Sequence, residues 1–317
     1  MDRSAIPPER SGSSGIRVAV VIAARDVAPY IGAAIGSVLS QLHADLSLTV
    51  VDDGSADDTG AIAAAFRDDR LRLLRDTGRG VSAARNRGAA TAAASADALL
   101  FLDGDDWLAP DALRRLVSAL ERDAEAAAAH APFAFVTAEA RPDAPGRPDR
   151  RAAPSGRDLL PSLMLGNLFA NGGHVLIRRT AWEAAGPFRE DLAFAEDWEF
   201  WLRLALQGPF AALGGAPALF VRRRAGSLMH GAATRIEAYR PALAAIAGNR
   251  AIEARLGARR FARLRRQAQT ELFWTLGREW LRRGDPAEAR RLLWRGLSGR
   301  PRPQRLALLA MSLARRG

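Results

Sequence analysis

The sequence predicts an α/β fold: a doubly wound, mostly parallel sheet sandwiched by helices, with a helical extension at the C-terminal end. Three observations predict it. Apolar, β-branched runs alternate with helical stretches at short spacing over about residues 16–115, in the order β-α-β-α-β-α-β. The run Ala98–Leu102 is apolar throughout, as in a buried strand of a parallel sheet covered on both faces. Three runs end in acidic residues, at Arg25–Asp26, Asp52–Asp53 and Asp103–Asp106. Those ends share one edge only if the strands are parallel and joined by right-handed crossovers.

Taken in order, Ile16–Ala24 is the first strand, and Pro29 opens a helix that runs to about Gln41. Leu46–Val51 is the second strand. Asp57 or Asp58 caps the next helix, which carries Ile62, Ala65 and Phe66. Leu71–Leu74 is a short third strand, Gly78–Gly80 a loop, and Val81–Ala93 a helix of small residues. The fourth strand, Ala98–Leu102, delivers Asp103, Asp105 and Asp106 to the carboxyl edge of the sheet, where open α/β sheets bind ligands. Read alone, this cluster is equally an acidic turn before a helix with Pro110 in its first turn. Carboxylates this close repel one another unless a cation lies between them. A hard divalent ion with oxygen ligands is the simplest such cation, and it brings phosphates with it.

Beyond residue 110 the spacing predicts a helix from Asp111 to about Ala129 and a strand over Phe133–Ala138. Arg141–Arg157, rich in Pro, Gly and Arg, reads as a long, exposed, flexible loop. Leu159–Leu168 is a short helix, and residues 171–177 are a turn into a strand, with Asn171, Gly172 and Gly173 in unusual backbone conformations. Thr180 caps a short helix whose Trp182 packs inward and which Gly186 and Pro187 stop. FAEDWEFWLRLAL (194–206) is an amphipathic helix with Trp198, Trp201, Leu202 and Ala205 on one face. Glu196 and Asp197 stand in its first turn, where acidic residues contribute about 0.3–1 kcal/mol, so capping competes with any chemical role. Leu219–Arg223 is a last short strand, leading into RAGSLMHG. From about residue 232 the chain is helical and rich in arginine, with Gly284–Asp285–Pro286 turning one helix into the next. Residues 1–15, made of Pro, Ser, Gly and charge, are expected to be a disordered tail.

Composition narrows the function classes. At 317 residues the chain can bury a large core in one large domain or two modest ones. No run of about 18 apolar residues occurs, and MDRSAIPPERSGSSG lacks the apolar core of a secretory signal. The absence of cysteine excludes disulfides, thiol catalysis and thiolate metal sites, and agrees with a cytoplasmic location. A net charge of +11 invites a nucleic-acid reading. However, all 46 basic residues are arginine in a chain rich in alanine, a pairing that reflects GC-rich coding. The arginine excess lies after about residue 222, away from the acidic cluster, and no zinc-finger or RNA-binding motif accompanies it. No nucleic-acid partner is expected. Anionic lipid headgroups or phosphate-bearing substrates fit the charge equally well.

The segments VVIAARDVAPYIGAAIGSVLSQ, TVVDDGSADDT, GRGVSAARNRG, LLFLDGDDW and AEDWEFWLRL occur in this order and fall where the strand and loop reading puts them. Together, over about residues 16–230, they resemble the inverting glycosyltransferases of family 2, which have the Rossmann-like GT-A fold. The resemblance implies a nucleotide-sugar-binding half at 16–115, an acceptor-binding half at 116–231 that includes the 141–157 loop, and a basic helical region at 232–317. It implies that Asp53 reads the nucleotide base, with Ala23, Ala24, Arg25 and Asp26 lining the same pocket. Asp103 and Asp105 match the DxD pair. Asp105 or Asp106 would contact the ribose and hold the Mg²⁺ or Mn²⁺ that bridges the diphosphate, and Arg85 would sit near the donor phosphates or sugar. Asp197, after Glu196, matches the general base. His230, in a loop that closes over the diphosphate in metal-dependent relatives, is a further candidate ligand, and His174 a further site candidate.

The implied reaction moves a sugar, with inversion, from a nucleoside diphosphate, usually UDP, to a hydroxyl of a glycan, lipid-linked or cell-envelope acceptor. The basic helices suggest peripheral contact with an anionic membrane at its cytoplasmic face. Trp107, Trp182, Trp198 and Trp201 are candidate sugar-stacking rings, with core packing the stronger reading for the last three. His43 and His130 are expected at the surface. Ala24–Arg25–Asp26 departs from the family's usual Pro or Thr followed by Tyr–Asn, which leaves GDP and dTDP open beside UDP. A nucleotidyltransferase is the main rival, but AARDVAPY lacks its glycine-rich basic loop, and the first turn lacks the G-x-G-x-x-G of a dehydrogenase.

Overall fold

The computed structural model describes residues 15–43, 45–146, 148–152, 154–224, 235–297 and 303–314. Nearly all of the expected N-terminal tail lies outside them. Four strands open the chain: β1 (Val18–Ala24), β2 (Leu46–Asp53), β3 (Leu71–Asp76) and β4 (Ala98–Asp103). They alternate with helices α1 (Ala28–Leu39), α2 (Thr59–Ala65) and α3 (Val81–Ala92). Asp57, rather than Asp58, accepts the Thr59 N–H at the start of α2 (3.0 Å). All four strands are parallel and lie in the order β3-β2-β1-β4. The chain thus steps outward from β1 and returns to β1's other side, so the order reverses at the β1–β4 seam. Crevices at such reversals, outside the carboxyl ends of the strands, are where open sheets take ligands.

Side-chain alternation sorts the two faces. Val18, Val20 and Ile22 of β1, with Ala98, Leu100 and Leu102 of β4, pack against α1. Val21, Leu99 and Phe101 point the other way. Gly88 of α3 lies so close to β1 that a Cβ there would stand 2.3 Å from Val21 Cγ1.

The chain continues through β5 (Trp107–Leu108), α4 (Ala112–Arg122), β6 (Ala128–His130), β7 (Phe133–Val136), β8 (Asp149–Arg151) and α5 (Leu160–Leu163). Next come β9 (Val175–Arg178), α6 (Arg179–Ala185), α7 (Glu196–Leu204), β10 (Phe210–Ala212) and β11 (Leu219–Arg222). β9, antiparallel to both neighbours, joins β4 to β6, and β10 completes a seven-stranded sheet. β5, β11, β7 and β8 form a second, smaller sheet beside the β4 turn.

Several expectations are corrected here. The helix predicted to run to Ala129 stops at Arg122, and Ala128–His130 is a strand between β9 and β10. Alanine favours a helix, but here pairing on both sides of a buried strand overrides that weak propensity. Residues 141–157 are largely exposed, as expected, yet they include β8 on the edge of the small sheet. The helix expected over 159–168 is the single turn Leu160–Leu163, and α6 starts at Arg179 without a side-chain cap, so Thr180 is not its N-cap.

The remaining helices are α8 (Ile236–Ala247), α9 (Arg250–Leu256), α10 (Ala258–Arg282), α11 (Pro286–Arg295) and α12 (Pro303–Ala314). α8 packs on the main core through Ala242 and Ile246. α10 and α11 meet where Gly277 lets Leu293 in, since a Cβ on Gly277 would stand 2.7 Å from Leu293. Among the described residues, no helix is long and apolar enough to cross a membrane.

Candidate active site

The strand registers bring the expected acids to one edge. Ala24 is level with Asp52, Ala23 with Asp103, and Asp53 with Asp76. The Gly104 N–H donates to the Ala23 carbonyl (3.1 Å). A Cβ on Gly104 would lie 3.1 Å from Ala24 Cβ and Val27 Cγ2, so the turn after β4 closes on β1 because residue 104 has no side chain. Asp26 is exposed and left-handed (φ 51°), an uncommon state for a residue with a Cβ. Its Oδ1 accepts the Ala56 N–H (2.8 Å) and its own N–H donates to Ser55 Oγ (3.1 Å). Arg25 is exposed, with Nε 3.8 Å from Asp26 Oδ2. Asp53 is buried and accepts two backbone N–H bonds, from Arg79 to Oδ1 (2.8 Å) and from Gly80 to Oδ2 (2.9 Å). It thereby fixes the loop ahead of α3.

The three carboxylates after β4 have distinct partners. Asp103 accepts Arg85 Nη2 on Oδ1 (2.7 Å) and Asn171 Nδ2 on Oδ2 (3.1 Å). Asp106 is buried with both oxygens occupied, Oδ1 by the Arg222 N–H (2.8 Å) and Oδ2 by Asn171 Nδ2 (2.6 Å). Burial, with the charges of Asp105 and Asp103 added, raises its pKa well above the usual carboxylate value. Asp105 accepts Arg224 Nε on Oδ2 (2.6 Å). Its pKa is raised by burial and by Asp103, with Arg224 pulling the other way.

α7 brings the second motif to this edge. Arg85, on α3, is buried and bonds Glu196 Oε1 through Nη1 (2.8 Å) while its Nη2 holds Asp103. One guanidinium thus joins the end of β4 to the start of α7. Burial alone would lower the Arg85 pKa, but Asp103 and Glu196 together raise it, so it stays charged. Asp197 Oδ2 accepts Asn167 Nδ2 (2.9 Å), and its Oδ1 accepts the Trp198 N–H (2.7 Å). Burial, then Glu196, pushes Asp197 up to about 7, against the pull of Arg85. The residue before α7, Ala195, is left-handed (φ 57°). With Asp26 it is one of two non-glycine residues at positive φ among those described, and both flank this edge. Trp198 Nε1 donates to the Leu163 carbonyl (2.6 Å), and Arg203 holds Glu199 and the carbonyls of Ala185, Gly186 and Pro187.

The structure therefore gathers Ala23, Ala24, Arg25, Asp26, Asp53, Arg85, Asp103, Asp105, Asp106, Glu196 and Asp197 along one edge. His230 lies outside the described residues. His174 is in the core: its Nδ1 meets the Ala131 carbonyl (2.7 Å), Phe133 and Phe169 flank its ring, and burial lowers its pKa to about 4. His130, expected at the surface, is fully buried, and burial followed by His174 lowers it to about 3. Trp107 is buried too and stacks on Phe220, so its face is not open to a sugar; Trp198 and Trp201 are core residues, as expected. Sequence reading missed four polar residues here: Asn167, Asn171, Arg222 and Arg224. Asn171 stood out only as a turn residue. The arginines lay within a general excess that hid them.

A family model described as "Glycosyl transferase family 2" matches residues 19–185. Among curated relatives, the chain is 44% identical over 101 residues to the succinoglycan biosynthesis protein ExoO of Rhizobium meliloti, covering 32% of this chain and 28% of that one. It is 32% identical over 204 residues to ExoU of the same organism, covering 60% of this chain and 57% of that one. The chain thus spans from about a quarter to just over half the length of these relatives. Among solved structures, S. aureus TarS 1-349 in complex with UDP-GlcNAc superposes with a TM-score of 0.58 at 17% identity, over 95% of this chain and 88% of that one. The mannosyltransferase PcManGT from Pyrobaculum calidifontis, in complex with GDP-Man and Mn²⁺, gives 0.56 at 19% identity, over 95% and 81%. These two likenesses establish the GT-A type of fold.

Proposed function

The chain belongs to glycosyl transferase family 2, and on that premise we propose that it transfers a sugar, with inversion, from a nucleoside diphosphate donor to a hydroxyl of a glycan or lipid-linked acceptor of the cell envelope. UDP is the preferred donor nucleotide in this reading. The observation that carries it is the Asp103–Arg85–Glu196 bridge, which docks α7 against the donor edge and leaves Asp197 as a half-buried carboxylate with a pKa of about 7. A base tuned near neutrality accepts a proton from an attacking hydroxyl at working pH. Its position beyond the first sheet supports an approach from the side opposite the leaving group.

In this reading Asp53 and residues Ala23–Asp26 receive the nucleoside, and Asp103, held by Arg85 and Asn171, takes the ribose. Asp105 is the residue that would hold Mg²⁺ or Mn²⁺. The donor set fits such an ion in one way. Asp105 is an oxygen ligand amid repelling charges, whereas both Asp106 oxygens are taken by protein donors, so Asp106 leaves the metal set and serves as a clamp between β4 and β11. In this reading diphosphate and water would complete the coordination. When bound, the ion neutralises charge that develops on the leaving diphosphate. Arg85 and Glu196 touch neither substrate in this reading; they hold Asp197 in place.

Residues 222–317 carry 23 of the 46 arginines but only 6 of the 35 acidic residues. That imbalance supports peripheral contact of the helical region with an anionic membrane. The experiment that tests the enzymatic reading is a thermal-shift screen of nucleotide sugars with Mn²⁺, followed by Asp197→Asn. The variant should retain the donor-induced shift and lose sugar transfer. Full transfer by Asp197→Asn removes the assigned base.

A further inference from the structure

The strand end of β11 carries three consecutive arginines, and their surroundings differ in kind. Arg222 is locked in place. Its N–H goes to Asp106, its Nε to the Asp105 carbonyl (3.0 Å), and its Nη1 to the carbonyls of Ala138 and Ala140 (both 2.6 Å). Its guanidinium also lies 4.6 Å from the Tyr30 ring and 4.8 Å from the Trp107 ring. Arg223 turns outward, over the Phe135 ring at 4.0 Å and 3.4 Å from Asp149. Arg224 stands past the last paired residue of β11, and among the described residues its one hydrogen bond is Nε to Asp105 Oδ2 (2.6 Å). The Tyr30 ring lies 5.6 Å from it, at the outer end of cation–π reach and farther than it lies from Arg222.

Asp105 needs this partner. Its side chain is largely buried beside Asp103 and Asp106, and Arg224 is the cation paired with it, at 2.6 Å. Asp103 and Asp106 have their oxygens filled by Arg85, Asn171 and the Arg222 N–H, all rigidly mounted. Arg224, past the paired end of β11 and with one hydrogen bond among the described residues, is the member of the cluster with the fewest ties to the fold.

We propose that Arg224 is the resident counter-cation of Asp105 and that it moves from this carboxylate to the donor's diphosphate when a divalent cation takes Asp105. The proposal rests on the reading of Asp105 as the metal-holding residue and adds an order to the binding. A divalent ion alone must displace a guanidinium and strand it, so the free protein binds the ion weakly. An ion arriving with a diphosphate gives Arg224 a new anion within reach. The exchange conserves charge pairing: one Arg–carboxylate contact is lost, while a metal–carboxylate and an Arg–phosphate contact form. Arginine suits the second role because its fork matches phosphate oxygens.

The test is Mn²⁺ affinity measured on the full chain by the electron paramagnetic resonance signal of free Mn²⁺, with and without UDP. Arg224→Gln removes the cation and keeps most of the side chain's length. It should tighten Mn²⁺ binding without nucleotide by about tenfold and weaken UDP binding in the presence of Mn²⁺ by a similar factor. Arg224→Lys, which keeps the charge, should stay near the wild type for Mn²⁺ alone. Equal or weaker Mn²⁺ binding by a folded Arg224→Gln chain, with circular dichroism and melting temperature unchanged, overturns the proposal. So does equal tightening by both variants, which would trace the effect to packing rather than charge. Asp105→Asn separates the two readings. If it abolishes Mn²⁺-dependent UDP-sugar hydrolysis while Arg224→Gln leaves metal affinity unmoved, the donor site stands and the exchange falls.

Discussion

Replacing Asp197 with Asn should stabilise the protein while removing its proposed activity, and the gain should depend on pH in a defined direction. The Asp197 carboxyl has an ordinary value of 3.8 and is pushed up to about 7 by burial and by Glu196. A raised carboxyl value means that the folded state holds the proton more tightly than the unfolded chain. The native state therefore keeps its full stability below about pH 4 and loses some of it as the pH rises toward 7, where the folded chain must accept a buried charge. Three pK units correspond to an upper bound of about 4 kcal/mol. Asparagine has one oxygen for two donors, Asn167 Nδ2 and the Trp198 N–H, so one hydrogen bond worth about 1 kcal/mol is lost. Partial exposure of the side chain reduces the remainder further. The expected net gain at pH 8 is about 1–3 kcal/mol, or a rise in Tm of about 2–5 °C for a chain of this size. Thermal melts of both proteins at pH 5, 6, 7 and 8 provide the assay. The difference between them should grow from pH 5 to about 7, level off above it, and fall to zero or slightly below toward pH 4. A difference that is flat with pH, or a variant less stable at pH 8, refutes the account of Asp197 as an unfavourably buried carboxylate.

Three further outcomes follow from the same geometry. Arg85→Met removes the charge that holds Asp197 down, so the acid limb of the transfer pH profile should move to higher pH, with loss of rate at pH 7; Arg85→Lys should shift it less, and an unmoved limb in both would separate Arg85 from the base. Gly172→Ala would place a Cβ 2.7 Å from the Phe101 carbonyl, under the turn that carries Asn171, and should cost about 1–3 kcal/mol in urea unfolding together with weaker donor binding. Flotation with vesicles of phosphatidylglycerol, but not phosphatidylcholine, should carry the chain at low ionic strength and release it in high salt; no flotation on anionic vesicles counts against the membrane assignment.

The parallel half of the sheet was legible because its signal is local. Each strand is a continuous apolar run, and each ends where a charge or glycine ends it, so β1, β2 and β4 fell within two residues of their expected bounds. β6 was not legible: Ala128–Ala129 carries no β-branched side chain, and what makes it a strand is the vacant edge between β9 and β10, over 40 residues later in sequence. The same distinction runs through the site. Asp103, Asp105 and Asp197 stood out as motif residues, but their partners are set by tertiary contacts. Arg224 lies 119 residues from Asp105, and Arg85 lies 111 from Glu196. His130 and His174 show the converse error, since an isolated histidine carries no sequence mark of burial.

The charges of the site also constrain how a donor enters it. Five carboxylates, Asp103, Asp105, Asp106, Glu196 and Asp197, face two guanidinium groups that pair with them directly, those of Arg85 and Arg224. Arg222 adds its backbone N–H to Asp106 and lends its guanidinium to carbonyls. Raised proton affinity at Asp105, Asp106 and Asp197 is the site's partial answer to that excess of negative charge. A diphosphate brings still more negative charge to the same edge, and no arginine of the cluster is idle to receive it. In the proposed reading a divalent cation and the exchange of Arg224 close this gap together, which makes nucleotide affinity and cation affinity mutually dependent by linkage. Each should therefore tighten the other by the same factor, and UDP affinity that is indifferent to Mn²⁺ would mean that the edge accommodates the diphosphate by some other pairing of these charges.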